Sequence, residues 1–80
     1  MTENLRERAH DVDATLRVGK AGIEAVTDEL QAQLDERELV KVKFLRSARG
    51  GTTTETLANQ LAKAVDAEVI ETRGHTAVFH

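Results

Sequence analysis

The chain has 80 residues, enough for one small domain near the lower limit at which a hydrophobic core suffices without cross-links. It contains no cysteine, which excludes a disulfide framework, a thiolate metal site and a cysteine nucleophile, and makes a reducing cytoplasm the expected setting. No apolar run approaches the roughly 20 residues of a membrane span and Met1-Thr2-Glu3-Asn4 has no signal-peptide character, so a soluble chain is expected; its net charge of -3 would disfavour a polyanionic partner if the charge were evenly spread.

A first helix is predicted from Thr2 or Glu3 to about Val12, with Thr2 as N-cap and Leu5, Ala9 and Val12 on one stripe. A short strand, Thr15 to Val18, runs into Gly19-Lys20-Ala21-Gly22. Beyond that turn, Ile23, Val26, Leu30 and Leu34 recur at helical spacing and predict a second helix from Ile23 to about Glu36. Leu39 to Leu45 alternates, with Val40, Val42 and Phe44 facing one way and Lys41 and Lys43 the other, the pattern of a strand with one buried and one wet face. A polar loop, Arg46 to Thr53, leads to a third helix that Thr52 and Glu55 are spaced to open as a capping box. That helix is expected to bury Leu57, Leu61, Ala64 and Val65. Ala67–Arg73 and Thr76–His80 read as two strands, and with only Gly74 and His75 between them they form a tight antiparallel hairpin.

The expected fold is therefore α/β in the order α-β-α-β-α-β-β, two-layered, with a four-stranded mixed sheet and the helices on one face. Strands joined through helices run parallel. Ligands of such sheets bind beyond the carboxyl ends of the strands, and three loops leave from that edge: Gly19 to Gly22, Arg46 to Thr53, and Arg73-Gly74-His75. Each carries glycine and a basic residue. A Gly-X-X-Gly turn lets a bulky anion approach the main chain, both glycines being free to adopt angles closed to other residues. The amides of a following helix would point at that anion, and loops of this kind clamp the backbone of single-stranded nucleic acid in KH domains.

Charge is segregated. Glu3, Glu7, Asp11, Glu24, Asp28, Glu29, Asp35 and Glu36 ride on the first two helices, whereas Arg37 to Arg49 holds Arg37, Lys41, Lys43, Arg46 and Arg49 against Glu38 alone. A local basic patch sets the potential that a phosphate chain meets, whatever the sum. The candidate RNA-contact residues are Gly19, Lys20, Ala21 and Gly22, with Arg17, Lys41, Lys43, Arg46, Arg49 and Arg73 around them. The bland reading of Lys41 and Lys43 is solubilising lysines on an exposed face. With two phenylalanines and no other aromatic residue, Phe44 expected in the core, there is no stacking platform, so recognition by backbone and shape is expected rather than by base identity.

Enzyme readings find little to stand on. His10, His75 and His80 fall at a helix end, a turn and the last position, without metal-ligand spacing, and read as surface or hydrogen-bonding residues. No serine nucleophile is flanked by a base, and Gly50-Gly51-Thr52 lacks the lysine and spacing of a phosphate-binding loop. No catalytic residue, metal or cofactor is expected.

The residues resemble the CRM domain (chloroplast RNA splicing and ribosome maturation) in its single-domain YhbY-like form. The resemblance rests on Val18-Gly19-Lys20-Ala21-Gly22-Ile23, on Glu38-Leu39-Val40-Lys41-Val42-Lys43 and on Gly74-His75-Thr76-Ala77-Val78-Phe79, in the family's order and spacing from Leu5 onward. It implies an RNA-binding domain with three helices against a four-stranded mixed sheet, similar to the C-terminal domain of translation initiation factor 3. It further implies ribosomal RNA or its precursor as partner, in a particle on the way to the large ribosomal subunit, with no DNA and no membrane. From a different class, the acidic helices allow a protein-protein adaptor on the ribosome or an RNA-processing complex that never touches RNA.

Overall fold

The computed structural model describes residues 2–80, with side-chain surroundings from residue 5 onward. Helix α1 (Thr2–Ala9), strand β1 (Ala14–Val18), helix α2 (Thr27–Glu36), strand β2 (Val40–Phe44), helix α3 (Thr54–Ala64) and strands β3 (Val69–Arg73) and β4 (Thr76–Phe79) follow one another in the expected order. The capping role expected of Thr2 lies outside the described side chains.

Two boundaries differ from expectation for local reasons. The helix expected from Ile23 starts as a 3-10 turn, Ile23–Val26, and becomes α-helical only at Thr27. No side chain caps its first amides, so the entry tightens into a bond from Ala25 N–H to the Gly22 carbonyl, 3.3 Å. At α3 the cap is Thr53 rather than Thr52: its Oγ1 accepts from the Thr56 amide at 3.1 Å, and the Thr56 hydroxyl, not Glu55, completes the contact at 3.0 Å. The helix ends in a Schellman arrangement. The Ala67 amide donates to the Ala62 carbonyl at 2.8 Å and that of Asp66, at φ 53, to the Lys63 carbonyl at 3.4 Å. Aspartate tolerates this left-handed angle better than most side chains, and the chain is thereby turned back towards the sheet.

The sheet order is β1-β2-β4-β3, with β1 and β2 parallel and β4 antiparallel to both β2 and β3. Strands β1, β2 and β3 therefore point the same way, and their carboxyl ends share one edge. The β3–β4 pairing extends past the strands, since Glu68 and His80 exchange backbone hydrogen bonds of 3.0 and 2.9 Å.

Helices α2 and α3 pack on one face of this sheet. Val18, Val40, Val42, Phe44, Ala77 and Phe79 from the strands meet Leu30 of α2 and Leu57, Ala58, Leu61 and Ala62 of α3. The alternation read at Val40, Val42 and Phe44 holds, all three being buried, while Lys43 is exposed and Lys41 half-buried. Ala64 is exposed; Ala58 and Ala62 take the inward positions, because they, and not Ala64, share the stripe of Leu57, Leu61 and Val65.

The expectation that all helices lie on one face is corrected. Leu5, Ala9 and Val12 pack on Leu39, Ile70 and Val78, and Val78 points opposite to its neighbours Ala77 and Phe79, so α1 lies on the reverse face. The cause is β4, a central strand with Ala77, Val78 and Phe79 buried in succession. Its reverse side is apolar, and α1 takes it out of water. The expected two layers thus gain a partial third.

Candidate nucleic-acid interface

The carboxyl edge of the sheet gathers the three loops, and backbone hydrogen bonds fasten them to one another. The Leu45 amide donates to the Val18 carbonyl at 2.8 Å, fixing the Arg46–Ala48 turn beside the glycine loop. The Phe44 amide donates to the His75 carbonyl at 2.7 Å, fixing the hairpin turn on the other side of β2. A Cβ at Gly19 would lie 3.7 Å from Ser47 Oγ, so the glycine loop and the basic turn are in van der Waals reach.

Gly19-Lys20-Ala21-Gly22 is a reverse turn closed by the Gly22 amide on the Gly19 carbonyl at 3.0 Å, with Lys20 and Ala21 exposed at its two corners. Only one of its glycines needs to be glycine for the fold. Gly22 sits at φ 84, ψ 179, a region essentially closed to side-chain-bearing residues, whereas Gly19 lies outside the left-handed region and has ordinary room for a methyl group. The expectation that both require special angles is corrected, and so is the expectation of α-helical amides behind the loop, since a four-residue 3-10 turn follows it. Gly22→Ala is expected to lower stability by about 1–3 kcal/mol, and Gly19→Ala to leave it unchanged or raise it by about 0.4–1 kcal/mol, as read from paired denaturant melts. A glycine the fold does not require keeps the main chain open to close approach from outside.

Arg46 is exposed at the start of its turn. Arg49 is half-buried and partly committed to structure: its Nε donates to the Phe44 carbonyl at 3.1 Å, completing the end of β2, and leaves its terminal nitrogens without protein partners among the described residues. Arg49, Thr53, Arg73 and His75 line an open cleft of about 380 Å³ between the α3 entry and the hairpin turn. Gly74, at φ 58, makes that two-residue turn possible.

The remaining candidates lie just behind the edge, on the α1 side of the sheet. Arg17 is the register partner of Lys43, Lys43 that of Thr76, and Thr76 that of Arg73, which puts the four in one row across four strands. Lys41 belongs to the next row, beside Val78. All ten sequence-predicted residues therefore fall into two adjoining groups: an edge group of Gly19, Lys20, Ala21, Gly22, Arg46 and Arg49, and a face group of Arg17, Lys41, Lys43 and Arg73.

His10, read from the sequence as a surface or hydrogen-bonding residue, finds its partners through tertiary contact. Its Nδ1 accepts from the Arg73 guanidinium at 2.9 Å, so its Nε2 carries the hydrogen that faces Glu71 Oε1 at 3.3 Å. His10 thus holds Glu71 and orients Arg73 from a position 63 residues away, a separation at which no local pattern signals a pair. Ser47, beside Gly19, is a residue that sequence reading did not single out.

The chain matches the model of the "CRS1 / YhbY (CRM) domain" over residues 1–80. It is 43% identical over 75 residues to a protein of Methanocaldococcus jannaschii named "Probable RNA-binding protein MJ0652", a match that spans 94% of this chain but 56% of that relative's length. Its fold is similar to the solution structure of SAV1595 from Staphylococcus aureus, a candidate RNA-binding protein, with a TM-score of 0.78 and 30% identity over 99% of this chain and 81% of the other. The match runs over residues 1–80 and the fold agrees with that of the S. aureus protein, and the chain belongs to the CRS1/YhbY (CRM) domain family.

Proposed function

We propose that this chain is a cytoplasmic RNA-binding module, not an enzyme, which grips the sugar-phosphate backbone at the carboxyl edge of its sheet. The observation that carries the reading is the convergence of the Gly19–Gly22 turn, the Arg46–Arg49 turn and the Arg73–His75 turn on one edge. Lys20 and Arg46 there are exposed, and neither is in salt-bridge distance of a carboxylate among the described residues, where Arg8–Glu38 is the lysine- or arginine-carboxylate pair. The names of the M. jannaschii and S. aureus relatives support the same partner class. For the identity of the RNA we propose precursor ribosomal RNA, with assembly of the large ribosomal subunit as the process; this rests on the likeness to single-domain bacterial CRM proteins.

The test is a salt titration of RNA affinity. With three to five of Arg17, Lys20, Arg46, Arg49 and Arg73 meeting phosphates, the log of affinity is expected to fall against log salt with a slope of about -2 to -4. A flat response would overturn the reading in favour of the adaptor that works through its acidic helices. Crosslinking in cells, followed by sequencing of the bound RNA, tests the ribosomal assignment: recovery dominated by other transcripts would reject it while leaving RNA binding intact.

A further inference from the structure

We propose that the part of the sheet face left open by α1 seats the backbone of double-stranded RNA, so that a paired stem lies on the sheet while the glycine loop grips the strand beyond it. This rests on the RNA-binding reading and names the RNA form that this second surface takes.

The surface is defined by register. Arg17, Lys43, Thr76 and Arg73 form one row across all four strands, and neighbours in a row point to the same side. At about 4.8 Å per strand, the row is roughly 14 Å long, enough to meet more than one phosphate. Helix α1 does not cover it, since its apolar stripe sits on Leu39, Ile70 and Val78, towards the opposite end of the strands. Arg17, Lys43 and Arg73 are exposed, and Glu71, in the adjoining row, lies 3.3 Å from His10 Nε2.

The fold gains nothing evident from this charge. Arg17 and Lys43 are direct cross-strand partners, and like charges in that relation oppose pairing. A repulsive pair held in the open, next to an Arg73 oriented by His10, is arranged for something outside the protein.

What it suits follows from what the face lacks. Both phenylalanines, Phe44 and Phe79, are fully buried and offer no ring to an unpaired base, and the imidazole on this face, His10, is held at its two nitrogens by Arg73 and Glu71. Strands β2 and β4, in the middle of the sheet, have their backbone groups taken up by their neighbours. The face therefore offers chiefly cations and a hydroxyl, the groups that meet phosphates and sugars. Paired RNA presents the matching chemistry: its bases are turned inward and its phosphates and 2′-hydroxyls outward, and it is recognised mostly by shape and backbone.

The experiment compares anisotropy titrations of a blunt RNA duplex and of one of its strands alone, using the full chain and the double variant Arg17→Glu/Lys43→Glu. The expected result is a loss of at least fivefold on the duplex that exceeds the loss on the single strand by threefold or more. Equal losses on both probes, or no loss on the duplex, would overturn the proposal, as would an unaltered protein that binds only the single strand. An unaltered protein that binds neither probe rejects the RNA-binding reading itself, which keeps the two failures apart. Because two glutamates side by side also repel, Arg17→Gln/Lys43→Gln is measured alongside: it is expected to melt no lower than the parent and to lose duplex affinity at least twofold, and an unaltered duplex affinity in that variant counts against the proposal.

Discussion

Phe44→Ala is expected to destabilise the protein by about 3–5 kcal/mol, the range for truncating a well-packed buried phenylalanine. Phe44 ends β2 with no exposed surface and is among the largest fully buried side chains, packed between the sheet and the two helices α2 and α3. Its loss removes apolar contact and leaves a cavity that a small core closes only in part. Small domains are stable by about 5–15 kcal/mol in total, so this one change takes a large share of what is available. For a domain of this length each kcal/mol lowers the melting midpoint by about 4–8 °C, and a fall of roughly 12–40 °C is expected by calorimetry or circular dichroism. Lys43→Ala, one residue earlier on the exposed side of the same strand, is the control and is expected to stay within about 0.5 kcal/mol of the parent. Similar midpoints for the two variants would mean that the register of β2 is wrong.

The double substitution Lys20→Asp/Ala21→Asp is expected to lower RNA affinity at least tenfold, about 1.4 kcal/mol, without lowering stability. Both residues are exposed corners of the turn, and neither carries the positive φ of Gly22. Aspartate is a favourable turn residue, so the bond from Gly22 to Gly19 is retained. What changes is the charge at the tip, from one cation to two anions, where a phosphate would approach. The tolerance comes from exposure and turn chemistry, since the 3-10 segment behind the loop is too short to supply a helix dipole. A melting curve and a binding isotherm on the same sample decide the matter. An unaltered isotherm with an intact fold would reduce Gly19–Gly22 to a turn, and a collapsed melt would make its sequence structural.

Element order and the edge group were legible because each rests on a short-range pattern. Period-two alternation at Val40–Phe44 marked β2, and the two residues between β3 and β4 left no room for anything but a hairpin. Once β1, β2 and β3 are known to run the same way, their carboxyl ends must share an edge, and the three loops come together without further information. Finer points were less legible where neighbouring residues offer nearly equal chemistry. Thr52 and Thr53 are both competent caps, and the choice between them depends on where α3 docks. At Gly19 and Gly22 the residue type is the same, and only the path of the chain distinguishes a required glycine from an optional one.

The sequence by itself therefore determined the elements, the strand directions and the convergence of basic, glycine-bearing loops, because turn length and hydrophobic period act over a few residues. Tertiary structure decided what depends on residues far apart in the chain. The placement of α1 on the reverse face followed from the apolar row of Leu39, Ile70 and Val78, which three separate strands or their approaches contribute. The row of Arg17, Lys43, Thr76 and Arg73 exists only through interstrand register, which no single strand encodes. The hold of His10 on Glu71 and Arg73 joins the first helix to the third strand, a contact made only when the hydrophobic burial of α1 brings them together.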